Sequence, residues 1–150
     1  MQWQPKNMKP NPIPNTSFNI KAVFLVKSFF ERVNPKINLQ SIDINKITRE
    51  VNVNIENEVE ENILNSYVTL TYLSKFPDGQ KEVECTIKMG AVFEIVGDEK
   101  VIPDRFIMVN APAIVFPYIR EHLSSLSIKA GLQAIVLPPY NFTNLKKEEK

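Results

Sequence analysis

Four groups of residues in this chain are of types that do chemistry. His122, the single histidine, follows Glu121 in the segment Phe-Pro-Tyr-Ile-Arg-Glu-His-Leu, residues 116–123. A histidine suits general-base work at neutral pH, but it needs a nucleophile or substrate within hydrogen-bond reach. Nothing in the sequence supplies one, and His122 reads as a partly exposed helical histidine. Cys85, the single cysteine, stands on the apolar side of an alternating run, where a thiol acts as a small apolar group rather than a reactive thiolate. Glu56, Glu58, Glu60 and Glu61 could hold a metal or do acid–base work. Three of them fall on the polar side of an alternating strand or in the loop after it, which is the pattern of a solvated face. With four glycines in all, the chain has no glycine-rich phosphate loop. No convergent catalytic constellation emerges. The expectation is a protein that is not an enzyme, with no metal and no cofactor.

The totals narrow the class. A chain of 150 residues, 43 % apolar and 23 % charged, suits one globular domain with a single core. Lys and Arg number 18 against 17 Asp and Glu, a net charge of +1 that makes no electrostatic case for nucleic acid or an anionic membrane. A lone cysteine cannot form an internal disulfide, which fits a reducing cytoplasm. The first residues lack the apolar core of a signal peptide, and no apolar run reaches membrane-spanning length. The expected location is the cytoplasm, with no membrane insertion.

These side chains must be placed by elements, and the apolar periodicity names them. Residues 1–17 hold four prolines among Asn, Lys and Gln and are expected to form a flexible arm carrying Trp3. Phe18, Ile20, Ala22, Phe24 and Val26 alternate along a first strand and are expected to be its buried face. Val23, Leu25 and Phe29 on the other side leave apolar surface for a second layer or another chain. Residues 31–48 form a long connection carrying Ile37, Leu39, Ile42, Ile44 and Ile47. Val51, Val53 and Ile55 alternate with Asn52, Asn54 and Glu56, a strand with one wet face.

Tyr67–Phe76 is a third strand, and Phe76-Pro77-Asp78-Gly79 fits a type I turn. A fourth strand carries Val83, Cys85, Ile87, Met89, Ala91, Phe93 and Ile95 on one face, with a bulge or bend expected at Gly90. The last third is helical. A short helix is expected over 104–108. A second should start near Phe116, with Pro112 in the approach to it and Pro117 in its first turn, show Phe116, Ile119, Leu123 and Leu126 as one stripe, and stop at Gly131. The fold class is α+β: a four-stranded antiparallel sheet, a long crossover after strand one, and helices packed on one face.

Phe116-Pro117-Tyr118 with Arg120-Glu121, a helix ending at Gly131, and then Leu137-Pro138-Pro139-Tyr140-Asn141-Phe142 together resemble the SecB export chaperone family. The order of elements agrees, and the resemblance covers residues 18–145 as one SecB-like domain, with 146–150 a charged tail. It implies an ATP-independent holdase, a homotetramer built as a dimer of dimers. Such a protein binds unfolded preproteins in apolar grooves, keeps them export-competent for the Sec translocase, and passes them to the SecA motor. By position, the client groove would use Ile47, Val51, Val53, Ile55 and Phe142. Cys85, Ile87 and Met89 would pack against the helix layer, together with Phe116, Ile119 and Leu123.

Two positions depart from the family pattern. The motor-docking surface is acidic in the family; here Glu31 matches and Glu84 lies nearby, while Lys27 and Thr86 stand where carboxylates are expected. Docking to SecA is therefore expected to be weak. A second reading is a SecB-like chaperone that protects the antitoxin of a toxin–antitoxin pair. A third, from another class, is a small-molecule-binding α+β module or enzyme. The clients are not named by the sequence.

Overall fold

A computed structural model describes residues 17–35, 43–97 and 102–143. The N-terminal arm with Trp3, residues 36–42 of the crossover (Ile37, Leu39 and Ile42 among them), and the charged tail lie outside the described residues. Strands β1 (Ser17–Arg32), β2 (Thr48–Glu60), β3 (Ile63–Lys75) and β4 (Lys81–Val96) form one sheet in the order β1-β4-β3-β2. All neighbours are antiparallel. β1 and β2 are consecutive in the chain but occupy opposite edges, so the connection between them crosses the sheet. A 3-10 turn, Ile44–Lys46, ends that crossover.

The two tight turns have local causes. Phe76 accepts the Gly79 N–H at 2.9 Å and donates its own N–H to the Gln80 carbonyl at 2.8 Å, while Gly79 takes φ +88°. That is a type I turn closed by a left-handed glycine, a common hairpin solution. Between β2 and β3 only Glu61 and Asn62 remain, with Glu61 at φ +54°. β3 therefore begins at Ile63, not Tyr67: the acidic residues disguise a two-residue turn that lacks the usual Asn-Gly signal.

One face of the sheet is sealed. Leu64, Val68 and Leu70 of β3 and Val83, Ile87 and Phe93 of β4 are fully or nearly fully buried beneath helix α1 (Ala111–Lys129). The helix contributes Val115, Phe116, Ile119 and Leu123 to the same core. Side chains of this kind each contribute about 1.5–3 kcal/mol on burial, so this contact dominates the fold's stability.

β1 corrects the expected face. Phe18, Ile20, Phe24 and Val26 are exposed, and the alternation is broken by register shifts between Ile20 and Ala22 and between Leu25 and Lys27. Each bulge inserts one residue, Lys21 or Val26, and so turns the following side chains to the other face. Phe18, Ile20, Val23, Leu25 and Phe30 share the helix side; Ala22, Phe24 and Phe29 share the outer side. The irregularity thus lies on β1 and not at Gly90, which keeps its place in the ladder opposite Phe24.

The helical region is also one continuous run rather than two pieces. It passes from Asp104 through a π-helical turn, Phe106–Asn110, directly into α1. Pro112 occupies the first turn of α1, where its missing N–H costs least. Pro117 stands inside the helix and withholds a donor from the Ala113 carbonyl, but Ala113 is exposed and water can serve it. Gly131 (φ +78°) ends the helix as expected: Leu132 N–H bonds the Ser127 carbonyl and Gly131 N–H the Ile128 carbonyl, each at 3.0 Å. This is a Schellman cap.

Candidate functional site

The β2 row sits on the helix side of the sheet. Val51, Val53, Ile55, Asn57 and Val59 pair directly with Tyr72, Leu70, Val68, Ser66 and Leu64, all of them buried residues of β3. Because β2 is an edge strand, α1 covers this row incompletely. Val53 and Ile55 are half-buried and packed against the core, while Val51 is 40 % and Val59 51 % exposed. Ile47 is half-buried just ahead of the strand. Asn52, Asn54 and Glu56 face the other way, onto the open side of the sheet. The row is an apolar ledge at the margin of the core, able to accept further apolar side chains.

Asn57 interrupts that ledge for a reason that lies on another element. Ala111 N–H bonds the Phe106 carbonyl, and the next residue, Pro112, has no N–H to give. The Ile107 carbonyl is left without a donor from the helix, and Asn57 Nδ2 donates to it at 3.5 Å. Sequence reasoning missed this residue. The signal was there, a polar residue within an apolar row, but its partner is a backbone carbonyl.

Phe142 is sealed rather than open. Its ring meets Phe116 and Tyr140, with centroids 5.7 and 4.9 Å away, and it is 2 % exposed. Arg120 Nε donates to the Leu137 carbonyl at 2.7 Å. Together these contacts hold the extended segment 132–142 along α1. They give the two halves of the Phe-Pro-Tyr-x-Arg-Glu and Pro-x-Asn-Phe pattern a shared physical purpose. Tyr140, 36 % exposed, is what this end offers to solvent.

On the outer side of the sheet Glu31 and Glu84 stand directly opposite each other on β1 and β4. Lys81 Nζ lies 2.5 Å from Glu84. Lys27 opposes Lys88 in the same way, and Lys88 is held by Glu56 at 3.4 Å and lies 5.1 Å from the centre of the Tyr67 ring. Along β1 and β4 the outer side thus carries the Glu31–Glu84 pair at one end, Glu94 bridged to Lys21 at 2.7 Å at the other, and the Lys27–Lys88 pair between them. A depression of about 370 Å³ lies between Phe29, Glu50, Asn52, Thr71, Glu84 and Thr86 on this side.

Ser28 Oγ and His122 Nε2 are 2.8 Å apart, a pairing of β1 with α1 that the sequence did not disclose. Cys85 is buried, and burial pushes its thiol up to about 11, away from thiolate reactivity. Cys85, Ile87 and Met89 belong to one buried core cluster with Phe116, Ile119 and Leu123. Among the described residues no group of His, Cys, Asp and Glu could hold a metal ion, and no helix is long and apolar enough to cross a membrane.

Comparison with known proteins places this arrangement among polypeptide-handling chaperones. The family model for the preprotein translocase subunit SecB matches residues 12–150, so the chain belongs to the SecB family. The protein-export protein SecB of Aromatoleum aromaticum is 29 % identical over 124 residues, covering 83 % of this chain and 71 % of that protein. The SecB of Azoarcus sp. is 27 % identical over 137 residues, covering 89 % and 87 %. In structure, the SecB-like chaperone Rv1957 of Mycobacterium tuberculosis, solved with a ChAD peptide from the Rv1956 HigA1 antitoxin, matches with a TM-score of 0.66. It is 10 % identical and covers 83 % of this chain and 91 % of its own, a likeness of fold. The four-stranded sheet with its C-terminal helix is the SecB-like fold.

Proposed function

We propose that this protein is a holdase chaperone that binds unfolded preproteins and keeps them competent for export, acting without ATP and without catalysis. The observation that carries the reading is the apolar ledge on β2, exposed at Val51 and Val59 in a chain of the SecB family. Extended client segments would lay apolar side chains along Val51, Val53 and Ile55, with Ile47 at the near end. Phe142, sealed against Phe116, would act only from within, backing the exposed Tyr140 ring.

The working form would be a homotetramer, a dimer of dimers. Exposed Phe18, Ile20, Leu25 and Val26 on the free edge strand β1 support self-association, since an edge of this length and apolarity is rarely left bare. Docking to SecA would be weak: Lys81 bridges Glu84, and the Lys27–Lys88 pair stands further along the same face, so the negative field that steers a basic partner is diluted. An antitoxin as client is a second reading, since Rv1957 was solved with an antitoxin peptide. It would use the same ledge.

The test is suppression of aggregation of a denatured preprotein, without nucleotide, with light scattering to give the mass of the free protein. Suppression by a tetramer is expected. A monomer, or aggregation unaltered by excess protein, would overturn the reading.

A further inference from the structure

The apolar row on β2 runs beside an acidic one. Glu56, Glu58 and Glu60, all exposed, alternate with the ledge residues on the same edge strand. Residues 48–61 carry five glutamates against the single Arg49. Lys88 bridges Glu56, while among the described residues no cation bridges Glu58, Glu60 or Glu61. Both rows border the free edge of the sheet, so one extended chain laid along that edge meets them together.

The same chain holds a segment of matching character. Residues 1–16 carry Lys6 and Lys9 with no Asp or Glu, and Trp3, Met8 and Ile13 as large apolar residues. They lead into β1 at Ser17. Asn19, Glu94, Ile63 and Glu60 lie on one line across the sheet, so the segment joins at the end where the acidic row stands. From β1 to β2 is three strand spacings, about 14 Å, which about five extended residues span. Residues 1–11 then remain, about 36 Å of extended chain against about 26 Å from Val59 to Val51.

We propose that residues 1–16 dock on the β2 edge of their own subunit as a tethered competitor that unfolded clients displace. Lys6 and Lys9 face Glu58 and Glu60, and Trp3 lies on the apolar ledge. Four prolines withhold backbone donors, so the segment holds the edge less firmly than a client that offers all its amides. Tethering compensates through a high effective concentration. The client's apparent dissociation constant rises as the fraction of open ledges falls. The inference rests on the client-binding reading above and adds a regulator of that site.

Trp3 is the single tryptophan, so acrylamide quenching of its fluorescence reads docking directly. In the wild type at low salt, quenching should be at least about threefold weaker than in the urea-unfolded chain, and about 0.5 M salt should relieve the shielding. A reduced and carboxymethylated unfolded protein lacking tryptophan should expose Trp3 as it is captured. Lys6→Glu with Lys9→Glu should expose Trp3 and bind that probe about threefold more tightly. Adding Glu58→Lys and Glu60→Lys should shield Trp3 again.

Trp3 as accessible in the wild type as in the unfolded chain would overturn the docking and leave the ledge to a second copy or to clients alone. Shielding that the charge swap fails to restore would overturn the site. Should the fourfold variant fail to fold, salt decides, and shielding unmoved by salt would overturn the ionic contact. Captured probe that leaves Trp3 shielded would overturn the competition alone. A wild type that captures no probe would overturn the client-binding reading and the competition with it.

Discussion

Phe24 and Gly90 face each other across β1 and β4, and the Phe24 ring stands 2.8 Å from where a side chain on Gly90 would begin. The Tyr67 ring closes in from β3 at 2.9 Å, and the two aromatics meet edge-on with centroids 6.3 Å apart. Glycine here is demanded by the approach of two rings. Gly90→Ala is expected to cost about 1–3 kcal/mol by overpacking. The cost should shrink in a Phe24→Leu background, as a urea-unfolding double-mutant cycle would show. Strict additivity would contradict the account.

The same position shows what the sequence made legible. Gly90 stood out as an interruption, but its reason lies in side chains from two other strands. β2 and β4 were readable because each alternates cleanly against a core, and Val51, Val53 and Ile55 do share one face. β1 was not, because two bulges reverse its parity and a free edge lets apolar residues occupy both sides. The prolines misled in the helical third, where a π turn and an exposed Ala113 let one helix run through them. Asn57 and Ser28 were silent because their partners lie 50 and 94 residues away.

Arg120 is expected to hold the C-terminal segment. Arg120→Ala removes a charge-assisted bond to the Leu137 carbonyl and should cost about 1.5–3 kcal/mol. Hydrogen exchange should rise over residues 132–142 before the sheet is affected. Unchanged protection of that segment would show that the Phe116–Tyr140–Phe142 contacts suffice without it.

Alkaline stability should report the Cys85 environment. The folded thiol is pushed by burial from 9.0 to about 11, so between those values the unfolded chain loses its proton first and the folded chain holds more protons. Stability is therefore full below about pH 9 and falls as pH rises, by about 1.4 kcal/mol per unit from this group, until the folded thiol ionises near pH 11. Tyr72, raised chiefly by burial, adds to the loss from pH 10 upward. Cys85→Ala should flatten the pH 9–10 part of a denaturation series. An unchanged slope in that variant would count against this origin.

The proposed client face is tested most directly at Val51. Val53 and Ile55 are half-buried against the core, so a charge there would confound stability with binding. Val51, 40 % exposed, can take a carboxylate with a stability change below about 1 kcal/mol. The measurement is the affinity of wild type, Val51→Asp and Asn52→Asp for an unfolded preprotein, with circular dichroism and light scattering as controls. The account expects Val51→Asp to remain folded and assembled and to bind about tenfold more weakly, a loss of about 1.4 kcal/mol, with Asn52→Asp close to wild type. A folded Val51→Asp that binds as tightly as the wild type would contradict it.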